Sequence, residues 1–226
     1  MANILDYKKE YKDLYSPKTT PMIVDVGEMQ FVAMEGKGNP NDVNGAYQKA
    51  IPVLYGVQYT LKMSKMGDRK PDGYFDYVVP PLEGFWWLDG NRELASKNAS
   101  DDGWVSLGNK SDYCWISMIR LPEFVDEKVF QWACEEVFKK KKIDAGKALY
   151  LKIKEGLCVQ CLHIGPYDDD PKTLMIMHDF IAENGLLNDV NETRRHHEIY
   201  LSDPRKTEIS KLKTILRIPV KRNFGF

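Results

Sequence analysis

Apolar residues recur along this chain with two periods, and each change of period marks the edge of an element. Residues 29–34 (MQFVAM) read as a strand, closed by the Gly- and Pro-containing run at 35–40. From Asp42, a capping residue type, Tyr47, Ala50, Ile51, Leu54, Val57 and Leu61 keep helical spacing to about Lys65, and Pro52 is expected to kink that helix. After a loop at 67–73, residues 74–79 and 83–87 read as extended pieces separated by Pro80-Pro81. Residues 88–111 read as an insertion of surface loops around one short strand at 104–107. Residues 113–121 form a strand ended by Pro122. Asp126 then opens a helix to about Lys142, whose apolar face is Val129, Phe130, Ala133, Val137 and Phe138. Lys139 to Lys142 fall in its last turn, where cations suit the helix dipole better than they suit a nucleic-acid patch. The remainder reads as a strand at 157–164, a helix from Pro171 capped by Asp170 and ended by Gly185, and strands at 195–201 and 212–220. Residues 1–20 form a polar arm or short helix.

The order strand, helix, strand, strand occurs at 29–121 and again at 157–220. Ile119-Arg120-Leu121-Pro122 in the first half matches Leu216-Arg217-Ile218-Pro219 at the same place in the second. The expected fold is α+β: a single domain of duplicated strand-helix-strand-strand modules with pseudo-twofold symmetry, about 25–122 and 155–222, joined by the helix at about 126–142. Its antiparallel sheets would form a central ligand groove where the modules meet.

Composition narrows the function. The chain has 226 residues, of which 29% are charged and 43% belong to the hydrophobic set, so it folds rather than staying disordered. Thirty-two Lys and Arg against 33 Asp and Glu leave a net charge of −1, which gives no footprint of a nucleic-acid binder. No apolar run approaches the roughly 20 residues that span a bilayer, and the charged first residues do not resemble a signal peptide, so no membrane partner and a cytoplasmic location are expected. Cys158 and Cys161 form a C-x-x-C on an alternating strand, which sends the two thiols to opposite faces and argues against a metal or a disulfide. The motifs of serine hydrolases, phosphate loops and dinucleotide folds are absent, so no cofactor is expected. Five Trp, 12 Tyr and nine Phe, clustered in short windows, suit either a core or a pocket for a flat apolar ligand.

His163-x-Gly165-Pro166-Tyr167, the run Glu198-Ile199-Tyr200-Leu201-Ser202-Asp203-Pro204, and the closing Leu212-Lys213-Thr214-Ile215-Leu216-Arg217-x-Pro219 resemble the GyrI-like small-molecule-binding family. The string from Asp76 to Trp87 is similar to one stand-alone branch of it. The resemblance implies a ligand groove between paired modules. It also implies one of several roles: effector domains of multidrug-sensing regulators, a gyrase inhibitor, toxin-protective proteins, or hydrolases that open the cyclopropane of DNA-alkylating natural products. Only about 25 residues precede the first strand, which leaves no room for the regulators' DNA-binding module.

Glu198 stands out because it lies in an apolar strand with Tyr200 on its own face. Such a carboxylate faces either solvent or a lined cavity, and the resemblance places it on a pocket floor. Burial among aromatics raises a carboxylate's pKa and suits it to general-base work. His196 and Glu198 share a face, but His197 faces away, so one strand cannot supply a three-ligand metal site. Tyr167, Tyr77 or Tyr74 could donate a hydrogen bond to a developing oxyanion. Trp86, Trp87, Trp115, Tyr74 and Tyr77 are candidate groove walls, of which alternation lets only some face the ligand. His163 is either structural or part of the site, and Glu83 is a candidate second carboxylate. Expected functions are therefore hydrolysis of a strained electrophile by glutamate-activated water, or non-catalytic binding, sequestration or sensing of a hydrophobic aromatic small molecule.

Overall fold

The computed structural model describes residues 4–67, 69–88, 95–97, 104–106 and 109–223, so part of the expected 88–111 insertion lies outside the described residues. Two short helices, α1 (Tyr7–Glu10) and α2 (Lys12–Tyr15), precede β1 (Met22–Lys37), α3 (Ala46–Met63), β2 (Leu82–Leu88) and the small hairpin of β3 (Ala95–Lys97) and β4 (Trp104–Ser106). There follow β5 (Tyr113–Arg120), α4 (Glu127–Lys141), β6 (Leu149–Ile164), α5 (Asp170–Glu183), β7 (Leu186–Asn188), β8 (His196–Tyr200) and β9 (Lys213–Arg222).

The strand order is β6-β1-β5-β2-β8-β9-β7, and β6 also pairs with β9. Because β7 pairs with β9 at its side, the other six strands close into an antiparallel, barrel-like ring. Pairing runs β1–β5–β2 in the first half and β6–β9–β8 in the second. The halves join through β1–β6 and β2–β8. Closure leaves few strand edges exposed.

Helices cover the outer face. Val53, Leu54, Val57 and Leu61 of α3 keep the helical spacing read in the sequence, and they bury against Val32, Ile119, Leu121 and the Phe130, Ala133 and Val137 stripe of α4. Each such side chain contributes about 1.5–3 kcal/mol of transfer free energy. Asp126 caps α4 by accepting the Val129 N–H at 2.8 Å, and Lys142 ends it in the left-handed region at φ 58°. Leu174, Met177 and Ile181 of α5 pack on Val159, Cys161, Leu216 and Ile218.

Several local expectations change. Helix α3 starts at Ala46 rather than Asp42, because residues 39–45 close successive turns (Asp42 N–H to Asn39 O, Gly45 N–H to Asp42 O). It runs unbroken through Pro52, which lies on its exposed side. Residues 74–79 form no ladder. Tyr77 makes one isolated parallel bridge with Leu5, and the prolines after it cannot donate to a sheet.

Strands β1 and β6 carry a feature that strict alternation hides. On β6, Leu149, Leu151 and Ile153 face the inner cluster, yet beyond Gly156 it is Cys158 that does so, while Val159 and Cys161 face α5. Gly156 has φ 66°, a backbone state that glycine adopts freely, and at this turn the inward parity passes from Glu155, in step with Leu149, Leu151 and Ile153, to Cys158. Opposite it, Gly27 is skipped in the β1–β6 register, and inward positions shift from Val24 and Val26 to Met29 and Phe31.

The N-terminal arm plugs one end of the ring. Tyr15 donates its hydroxyl to Glu83 at 3.1 Å, Gln160 donates to Asp13 O, and Arg217 donates to Leu14 O at 3.1 Å. The Arg120 guanidinium lies 4.5 Å from the Tyr7 ring and 4.4 Å from the Tyr11 ring. Both arginines of the repeated sequence therefore meet the arm.

Candidate functional site

Helix α3 packs on β1 and β5 and α5 on β6, so the outer face of the β2–β8 pair is a seam between the two helices. Gly84 pairs with Glu198 and Trp86 with His196, which places one carboxylate beside one indole on the seam floor. The indole lies across Gly84: a Cβ on that glycine would sit 2.7 Å from Trp86 Nε1, so glycine is what lets the ring lie flat.

Polar contacts run along this floor. Trp86 Nε1–H donates to the Tyr200 hydroxyl at 2.8 Å, and Tyr200 donates to Glu198 Oε2 at 2.9 Å. His196 Nε2 lies 3.4 Å from Glu198 Oε1, and the Glu198 side chain is 13% exposed. Around it stand aromatic faces. Tyr47, from the first turn of α3, has its ring centre 5.3 Å from Trp86 and 5.2 Å from Trp115, and Tyr167 meets Tyr200 edge-on at 5.7 Å. Trp115 Nε1 and Ser117 Oγ, both buried, have no hydrogen-bond partner. Burial and the neighbouring Glu198 charge hold the Tyr200 phenol well above its ordinary pKa and push Tyr167 up to about 12, so both are neutral donors.

The α5 side of the seam is acidic. Asp170, the first residue of α5, is 13% exposed in its side chain, and its Oδ1 lies 3.3 Å from His163 Nε2. Burial raises its pKa well above the usual range, and the charges of Glu198, Asp168 and Asp169 add to that. The expected capping role is not realised: Asp169 occupies the cap position, and no side chain caps the helix. His163 is engaged on both nitrogens, with Thr173 Oγ1 at 2.8 Å and Pro166 O at 3.0 Å, and so stands behind Asp170. His178 of α5 is pushed down to about 4 by burial and then by His196. Lys110, where the insertion returns, pairs with Asp168 and ties it to this rim.

Beneath the floor, on the inner face, a second polar cluster is fully enclosed. His197 lies 3.1 Å from Glu83 and 3.0 Å from Glu155, and Arg217 donates to Glu155 at 2.7 Å and to Gln160. Burial alone would raise the Glu155 carboxyl, but His197 and Arg217 hold it down at about 2. Burial would likewise lower His197, but Glu155 and Glu83 keep it above its usual value.

Among the residues expected from sequence, Glu198, Tyr200, Trp86, Trp115 and Tyr167 come together, with His163 one layer back. The structure does not bring the others to Glu198. Trp87 faces inward, with the Arg195 guanidinium 4.6 Å from its ring. Tyr77 packs with Tyr15, Ile199 and Ile215 and bonds Gln58 through its hydroxyl. Tyr74 donates to Lys62 O at 2.7 Å and rests on Phe124. Glu83, one residue out of step with Gly84, lies on the inner face. Tyr47 and Asp170 were read as helical core and helix cap, and their shared signal is a polar group at the start of each module's helix. Among the described residues, no group of three or more His, Cys, Asp or Glu is placed to hold a metal, and all four cysteines are free. No helix of the described residues is long and apolar enough to cross a membrane.

The model of the GyrI-like small molecule binding domain matches residues 19–221, and the chain belongs to that family. A crystal structure described as a hydrolase from Listeria innocua is 44% identical, with 96% of this chain and 100% of that chain covered and a TM-score of 0.83. An uncharacterized conserved protein from Listeria innocua is 45% identical over 96% and 100% of the two chains, with a TM-score of 0.84. The EcmrR C-terminal domain shares the fold at 12% identity, 90% and 98% coverage and a TM-score of 0.51. None of the curated proteins matches the sequence.

Proposed function

We propose that this member of the GyrI-like family is a hydrolase of flat, apolar, strained electrophiles, such as the cyclopropane of DNA-alkylating toxins, and that it thereby protects the cell. The observation that carries the reading is Glu198: a carboxylate set among aromatic rings at the seam of the two halves, fixed by the Trp86–Tyr200 relay. A structural relative described as a hydrolase, 44% identical, supports the reaction class. A cyclopropane conjugated to a carbonyl opens when a nucleophile attacks a ring carbon and the carbonyl oxygen takes up the charge. Glu198 removes a proton from water held against it, while its other oxygen stays oriented by the Tyr200 donor. In this reading Tyr167, a neutral phenol at the rim, donates to the oxygen that gains charge. Tyr47, Trp86 and Trp115 form a buried aromatic cluster beside Glu198, against which the flat ligand would stack.

The test is mass spectrometry of a cyclopropane-bearing alkylator incubated with less than one equivalent of protein. Continued conversion to the hydrated product is expected. Glu198→Gln should bind the compound within a few-fold of wild type and lose about 10²–10⁴ in turnover. A wild-type rate in the variant removes Glu198 as the base. Consumption that stops at one ligand per protein replaces hydrolysis with sequestration.

A further inference from the structure

We propose that Asp170 is the acid of this site: it protonates the substrate oxygen that gains charge while Glu198 takes a proton from water. The inference rests on the hydrolase reading above and adds to it a residue that neither the motif strings nor the aromatic clusters single out. Its basis is geometric. The Asp170 carboxyl is enclosed on the α5 side of the seam, and its Oδ1 accepts no hydrogen bond. An ionised carboxylate whose Oδ1 has lost its water and gained no donor is disfavoured, and protonation removes that cost. The groups facing it do not offset this. From β6, His163 already engages Thr173 and Pro166 with its two nitrogens. From the turn before the helix come Tyr167, Asp168 and Asp169, and from β8 comes Glu198. The nearby lysines are engaged outward, Lys110 with Asp168 and Lys172 with Asp169. A helix N-terminus would ordinarily favour the anion, but Pro171 removes one of its donors and Asp170 Oδ1 receives none of the rest.

A neutral Asp170 in the same seam as Glu198 gives the site an acid beside its base, the arrangement that acid–base chemistry needs. The step balances with water as the co-reactant. A bond forms between the water oxygen and the ring carbon as the ring C–C bond breaks. The released electron pair moves through the conjugated system to the carbonyl oxygen, which takes the Asp170 proton. The proton lost by water sits on Glu198. Exchange with solvent then returns Glu198 to the carboxylate and Asp170 to the acid.

Two measurements test this. In protein with 13C-labelled aspartate carboxyls, Asp170 should give the chemical shift of a neutral carboxyl at about pH 6, well above the ordinary aspartate pKa of about 4. The signal is assigned by its loss in Asp170→Asn, or by through-bond correlation in wild type if that variant does not fold. An ionised Asp170 at about pH 6 overturns the inference whatever the turnover. In the alkylator assay, Asp170→Asn should quench tryptophan fluorescence on ligand binding as wild type does, lose about 10²–10⁴ in kcat, and lose the alkaline limb of the kcat–pH profile. A variant that keeps the wild-type rate or the alkaline limb also overturns it. A wild type with a neutral Asp170 but no turnover places the fault in the hydrolase reading and ends the acid role with it. Turnover with an ionised Asp170 places the fault in this inference alone.

Discussion

His197 and Glu198 are neighbours on β8, and alternation sends them into two differently built surroundings. His197 enters the ring, where Glu83, Glu155 and Arg217 surround it and the N-terminal arm seals the end. Glu198 enters the seam, where it meets phenols, an indole and a second carboxyl, with no lysine or arginine against it in the described ion pairs. In the first region opposite charges are matched across β2, β8, β9 and β6, so the cluster cross-links four strands. In the second, Glu198 and Asp170 lie near one another without such matching, an arrangement that marks a candidate functional site. The inner cluster is fully enclosed and the seam residues are partly open, so the two regions differ in access as well as in the balance of charge.

The largest effect that would break this contrast belongs to the inner cluster. Arg217→Ala leaves Glu155 without its 2.7 Å partner in a site sealed from water. We expect a loss of about 3–5 kcal/mol in unfolding free energy by urea titration, the scale for removing one partner of a buried pair. Glu198→Gln, across the sheet, should stay within about 1 kcal/mol of wild type, since the relay from Tyr200 keeps an acceptor. A small cost at Arg217 would mean that the inner cluster is not what holds the ring together.

The two regions should also differ in their response to pH. The folded His197 pKa lies above its unfolded value of about 6.5, so its contribution is full below about pH 6.5 and is lost as pH rises through the folded value. Glu155 works in the other direction. Its folded value is about 2, so its contribution is present above the ordinary carboxylate range and is lost as pH falls toward 2. Together these two groups contribute most between about pH 4.5 and 6.5, and the His197 part declines above it. His197→Gln should flatten the decline on the alkaline side, as read by denaturation at a series of pH values. An unchanged slope would assign it to another group.

Much of this contrast could be read from the chain, and the reasons for the rest are specific. Period-two alternation placed Glu198 and Tyr200 on one face and His197 on the other, and Arg120 and Arg217 of the repeated string both meet the N-terminal arm. The same rule does not carry through β6 and β1, because the inward parity changes at Gly156, from Glu155 to Cys158, and at Gly27, from Val26 to Met29. It could not rank Trp86 against Trp87, since either parity of β2 was open until the β8 register fixed it. Tyr77 and Tyr74 sit in a segment that pattern alone made a strand; its partners are Leu5 of the arm and Gln58 of α3, both distant in sequence. Asp170 was hidden because an acid at a helix start has a routine explanation, which fails here for want of an N–H on its Oδ1.

The adjacent tryptophans allow a finer test. Trp86 lies over Gly84 in the seam, and Trp87 lies inside against Arg195. Trp86→Ala should weaken binding of a planar polyaromatic ligand by about 1–3 kcal/mol, the scale of one lost stacking face, in a fluorescence titration. Trp87→Ala should leave that affinity unchanged and lower stability instead. Equal losses of affinity would mean that the ligand reaches the inner face, and the seam would no longer be the site.

The smallest expected effect comes from two phenols that sequence alone could not separate. Tyr200→Phe removes the donor that orients Glu198 and leaves Trp86 Nε1 without its acceptor, so turnover should fall clearly while the ring still fills its space. Tyr77→Phe removes a hydroxyl bonded to Gln58 O and Oε1 of α3, both at 3.1 Å, away from Glu198. The loss of one buried hydrogen bond should cost about 0.5–1.5 kcal/mol in unfolding free energy. It should leave both kcat and ligand affinity at wild-type values, because Tyr77 packs with Tyr15, Ile199 and Ile215, and the two isoleucines alternate away from Glu198. A drop in kcat for Tyr77→Phe with unchanged stability would place the oxyanion donor on the inner face and reverse the assignment of the two regions.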